Sequence, residues 1–133
     1  MKQGTLSVLL LAGCTTMQPA KPALTVSEVW ARHHELEGSV IRVRGVIPRC
    51  YSLGCELYES KEDKSKWLSI GTSDKFDDEV ETYLGKPILV EGRLRGECLH
   101  AFADKDTDQT EEVIICTDRA SMIMNPKLIG RAH

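Results

Sequence analysis

Apolar residues recur at helical spacing just after residue 24, and beyond residue 39 the period changes to that of strands. Thr25-Val26-Ser27-Glu28 has the form of a capping box, in which a hydroxyl and a carboxylate satisfy the free N–H groups opening a helix. Val26, Val29, Trp30, His33 and Leu36 then share one face, and Gly38 is placed to end the helix. Val40 to Ile47 is β-branched and reads as a strand, with Gly45 marking a bulge or sharp bend. Glu56 to Ser60 and Lys66 to Gly71 predict a hairpin around the charged turn Lys61-Glu62-Asp63-Lys64. Asp74 to Leu84 puts Phe76, Val80, Tyr83 and Leu84 on one helical face, closed by Gly85 and stopped by Pro87. Ile88 to Arg95 and Glu112 to Thr117 read as strands separated by the polar segment 103–110, and Ser121 to Met124 could extend the last strand.

The predicted order is helix, three strands, helix, two strands. A helix between the third and fourth of five strands is the order of the OB-fold, a small, partly open barrel. Val43-Arg44-Gly45-Val46 and Val90-Glu91-Gly92-Arg93-Leu94 add mid-strand glycines, which allow the tight bends a small barrel needs. Residues 40–120 thus resemble the OB-fold lipoproteins and periplasmic OB-fold proteins of bacteria. The expected fold is mostly β, a five-stranded OB-like barrel with an extra N-terminal helix placed to plug one mouth. A mixed α+β sandwich is the alternative arrangement of the same elements.

The N-terminus has a different character. Met1-Lys2 is a short positive start, followed by the apolar run Leu6-Ser7-Val8-Leu9-Leu10-Leu11. That run falls well short of the roughly 20 residues of a permanent spanning helix and reads as an export signal. Leu11-Ala12-Gly13-Cys14 resembles the lipobox of bacterial lipoprotein precursors. The resemblance implies cleavage before Cys14, fatty acylation of that residue, and a bilayer as its partner. Thr15 in place of an aspartate implies outer-membrane sorting, facing the periplasm, in a diderm bacterium. The expected organisation is a signal over 1–13, a lipidated tether over 14–23 containing Pro19 and Pro22, and a domain over 24–133.

Composition then narrows the function. A formal net charge of −3 makes a poor general binder of nucleic acid, where phosphate contacts supply most of the affinity. With Cys14 assigned to lipid, Cys50, Cys55, Cys98 and Cys116 remain, an even number in an oxidising compartment. They allow three disulfide connectivities. Cys50 and Cys55 flank a short loop, and Cys98 and Cys116 flank the predicted last hairpin, which favours those pairs. A four-cysteine zinc site lacks its usual paired short spacings.

Chemistry-bearing groups do not converge. Asp104, Asp106 and Asp108 resemble the start of a calcium loop, but Gln109 and Ile115 stand where its glycine and glutamate belong. A weak site using these aspartates and Glu111 competes with a solvated loop, which is the expectation. His33 and His34 are adjacent on the predicted helix, hence about 100° apart, and His33 is expected at the core edge. His100 and His133 show no partner in the sequence. Neither a metal nor a cofactor is expected. No catalytic serine turn or phosphate-binding glycine loop is present. Arg42 with Arg44, and Arg93 with Arg95, alternate onto common strand faces. They read either as a basic patch or, preferably, as outward charges that discourage edge pairing. Tyr58 and Trp67 fall on the second and third strands, the ligand face of many OB-folds, and with Arg93 and Arg95 form the candidate ligand face. Trp67 as a core residue is the alternative. The favoured function is a non-catalytic envelope binding module for a protein or a cell-wall glycan. An OB-fold nuclease and a structural or stress-related lipoprotein are the alternatives.

Overall fold

The computed structural model describes residues 4, 21–52, 54–71, 73–104 and 121–132. Cys14, the export signal, the strand expected at 112–117, Cys116 and His133 lie outside the described residues, as do Asp106, Asp108 and Glu111. No helix among the described residues is long and apolar enough to cross a membrane.

The elements run β1 (Ala23–Thr25), α1 (Val26–Ala31), α2 (His33–Leu36), β2 (Val40–Val46), β3 (Cys50–Tyr51), β4 (Gly54–Tyr58), β5 (Trp67–Ile70), α3 (Asp74–Glu81), β6 (Pro87–Leu94), α4 (Gly96–Ala103) and β7 (Ile123–Arg131). Strands pair in the order β1-β2-β6-β7-β5-β4-β3, and a further β2–β4 pairing closes five of them, β2, β4, β5, β7 and β6, into a barrel. The β5–β7 pairing is parallel, while the other pairings within the ring are antiparallel. This is the five-stranded OB-like barrel, with α3 between its third and fourth strands.

Glycine permits the closure. A Cβ on Gly45 would lie 2.4 Å from the carbonyl oxygen of Tyr58, and one on Gly92 would lie 2.4 Å from Cγ2 of Ile123. Each position lets a neighbouring strand approach closer than any side chain allows. Around them Ile41, Val43, Leu57, Leu68, Ile70, Ile88, Val90 and Leu94 alternate into one buried core. Ser73 caps α3, its hydroxyl accepting from the N–H of Phe76, and the helix adds Phe76 and Val80 to the core. Both halves of the Thr25–Glu28 capping box form, and α1 buries Val26 and Val29.

The structure departs from the expectations at three places. The described strand that completes the barrel is Ile123–Arg131, longer than the apolar extension expected at Ser121 to Met124, and it accommodates Pro126 where its register against β6 shifts. Residues 96–103 form α4, so Cys98 stands on a helix and not on a hairpin arm. The first helix breaks at Arg32 (φ −115°, ψ 20°) into two short segments, which changes where His33 and His34 point.

Candidate functional site

Strands β3, β4 and β5 carry Tyr51, Tyr58 and Trp67. Cys55, Leu57, Leu68 and Ile70 alternate into the core, which leaves Glu56, Tyr58, Trp67 and Ser69 outward. Tyr58 lies directly opposite Trp67 in the antiparallel register. Their surroundings differ. Trp67 packs edge-on against Trp30 of α1, centroids 5.8 Å apart, and against Phe102 of α4 at 5.3 Å. The indole N–H of Trp30 donates to the Trp67 carbonyl at 2.9 Å. The added helices therefore roof Trp67, which anchors them instead of offering an open platform.

Tyr58 stays at the open end of this wall. Its hydroxyl donates to the Glu56 carboxylate, and the Lys64 ammonium lies 5.9 Å from its ring. Burial, helped by that hydrogen bond and the Glu56 charge, pushes its pKa up to about 12. Tyr51 is 49% exposed, one of two large hydrophobic side chains so exposed among the described residues. The Arg49 guanidinium stands 4.8 Å from the Tyr51 ring centroid, and its Nε–H donates to the Tyr51 hydroxyl at 2.7 Å. Tyr51 and Arg49 lie near enough for their charges to act on Tyr58. A disulfide joins Cys50 to Cys55 across the β3–β4 register and fixes the ribbon that carries Tyr51. Cys98 is disulfide-bonded as well.

The arginines go elsewhere. Arg42 pairs with Glu91 at 2.8 Å across β2 and β6, holding the Glu91 carboxyl below its ordinary value. Arg93 donates to the carbonyl of Gly38, and Arg95 lies 3.9 Å from Glu97 with both side chains exposed. Arg93 and Arg95 thus serve local contacts rather than the Tyr58 wall. Arg44 lines a groove of about 380 Å³ at the barrel rim, together with Val46, Glu59, Ser60, Pro87 and Ala132.

A second cluster was not legible in the sequence. His33 and His34 reach the two oxygens of the same Asp104 carboxylate, at 2.8 and 2.6 Å. His100 brings its Nδ1 against Nδ1 of His33, while its Nε2 lies 2.9 Å from Glu37. Among the described residues His33 is the buried polar side chain, 4% exposed. Burial, with the charges of His100 and His34, holds its pKa below the ordinary value against the pull of Asp104. Asp104 is thereby engaged with histidines.

No protein-family model matches the chain, and no curated protein matches it. Among solved structures the chain is similar to a protein of Klebsiella pneumoniae subsp. pneumoniae provisionally described as a nucleic acid-binding lipoprotein. The match has a TM-score of 0.50 and 15% identity, covering 82% of this chain and 92% of the other. At that identity the likeness concerns the fold. The class defined here is a closed, OB-like β-barrel with helices added to its outer wall.

Proposed function

We propose that this protein is a lipid-anchored, non-catalytic binding module of the bacterial envelope, and that its ligand is a carboxylate-bearing cell-wall glycan. The observation that carries the reading is the exposed Tyr51 ring with Arg49 against it, beside Tyr58 and Lys64 on the outer barrel wall. An exposed aromatic face suits the apolar face of a sugar ring, and the adjacent cations suit its carboxylates. The OB-like barrel supports this choice through Tyr58, which stands on its second strand, because the second and third strands are where such folds bind oligosaccharides and oligonucleotides. The neighbour's description points toward nucleic acid, but the net charge of −3 opposes a polyphosphate. The Leu11-Ala12-Gly13-Cys14 sequence supports anchoring through an acylated Cys14.

Intrinsic fluorescence of the full chain, titrated with soluble muropeptides and separately with single-stranded oligonucleotides, distinguishes the ligand classes. The expected result is saturable quenching by muropeptides that survives moderate salt. Saturation by oligonucleotides alone, with a steep salt dependence, would overturn the glycan reading. For the anchor, Cys14→Ala is expected to leave the membrane fraction or remain unprocessed. Unchanged cleavage and acylation would refute that assignment.

A further inference from the structure

The cluster joining α2 to α4 is a different kind of site. We infer that His33, His34, His100 and Asp104 bind a divalent transition-metal ion, zinc being the best match. Each residue offers one donor atom, and the four atoms lie within 4.8 Å of one another. Three imidazoles and one carboxylate are the donor set of zinc and its borderline neighbours, not of calcium or magnesium. Bonds of about 2.0–2.1 Å in a tetrahedral site space the donors about 3.3 Å apart. Asp104 meets His33 and His34 through different oxygens at 2.8 and 2.6 Å, and His33 meets His100 more closely, so the donors would spread toward that spacing around an ion.

The arrangement of the rings supports a site rather than a chance gathering. His34 and His100 stack at 4.1 Å with 17° between planes, and His33 lies 4.1 and 4.5 Å from them. Three imidazoles this close repel one another once protonated, whereas an ion uses their neutral lone pairs. The Glu37 carboxylate accepts from Nε2 of His100, which turns its Nδ1 lone pair toward His33. A carboxylate behind a histidine in this way orients it as a metal ligand. Among the described residues the other candidate group, Cys50, Cys55 and Asp77, has both sulfurs in a disulfide and offers no thiolate.

The ligands come from two segments far apart in sequence, so an ion would tie α2 to α4, the helix that roofs Trp67 through Phe102. None of Arg49, Tyr51, Tyr58 or Lys64 takes part, and the inference stands independently of the glycan reading.

The test is titration of the full chain, purified without a histidine tag, with Co²⁺ followed by Zn²⁺. One Co²⁺ per chain with intense visible absorption, displaced by one Zn²⁺, is expected. His34→Gln and Asp104→Asn change exposed side chains, so the fold should survive, as far-UV circular dichroism will verify. Both are expected to abolish the intense cobalt spectrum, and Glu37→Gln to weaken affinity about 10–100-fold. The inference is overturned if no stoichiometric ion binds at micromolar concentration. It is equally overturned if His34→Gln and Asp104→Asn bind cobalt as the parent does.

Discussion

Gly45 of β2 lies against the backbone of Tyr58 in β4, where a Cβ would approach the Tyr58 carbonyl oxygen to 2.4 Å. The next residue, Val46, pairs with Tyr58 and closes the barrel. Backbone cannot yield there as a flexible side chain would. Gly45→Ala is therefore expected to cost about 1–3 kcal/mol, as overpacking in a well-packed interior does. A lowered midpoint in urea denaturation is the readout. An unchanged midpoint would mean that the strands have room the structure does not show.

The Cys50–Cys55 bridge closes a loop with a sequence separation of 5 and holds β3 on β4. Replacing both cysteines by serine is expected to lower stability by about 2 kcal/mol, the scale for a short loop. The same change should loosen Tyr51, giving faster amide exchange at residues 50–55 while the barrel strands keep their protection.

Tyr58 predicts a pH dependence on the alkaline side. Its folded pKa of about 12 lies above the unfolded value of 10.0, so the native state holds the phenolic proton more tightly. The stability from this group is complete below about pH 10 and is lost as pH rises toward about 12. Denaturation midpoints across that window should fall, and Tyr58→Phe should fall less steeply. Equal slopes would place the titration elsewhere.

The roof over Trp67 depends on one directed contact, the hydrogen bond from the Trp30 indole to the Trp67 carbonyl. Trp30→Phe keeps most of the ring packing and removes the donor. A loss of about 1 kcal/mol is expected in thermal or chemical unfolding.

What the sequence revealed and concealed follows from the range of the forces involved. The capping box at Thr25 and Glu28 and the Phe76 and Val80 helical face are local signals with their expected roles, whereas the mid-strand Gly45 and Gly92 serve close approach of neighbouring strands. Only Ser121 to Met124 of the closing strand stood out, because the apolar run ends at Asn125-Pro126; Asn125 takes a positive φ of 52°, and the strand continues past it. Helix α4 opens on Gly96 without a side-chain cap, so no start signal announced it. The histidine cluster depends on the break at Arg32 and on contacts between residues 67 and 70 apart, which no pattern along the chain encodes. Tyr51 sits on a two-residue strand too short to carry a periodic signal, and Arg49 stands just before it.

The most direct test of the binding face is co-sedimentation of the full chain with purified cell-wall sacculi, compared with Tyr51→Ala. Tyr51 is exposed, so its removal should leave the barrel intact. Saturable binding by the parent, with a dissociation constant raised about tenfold or more in Tyr51→Ala, is the predicted result. Equal binding by both proteins, or none by the parent, would contradict the assignment of this face to a cell-wall glycan.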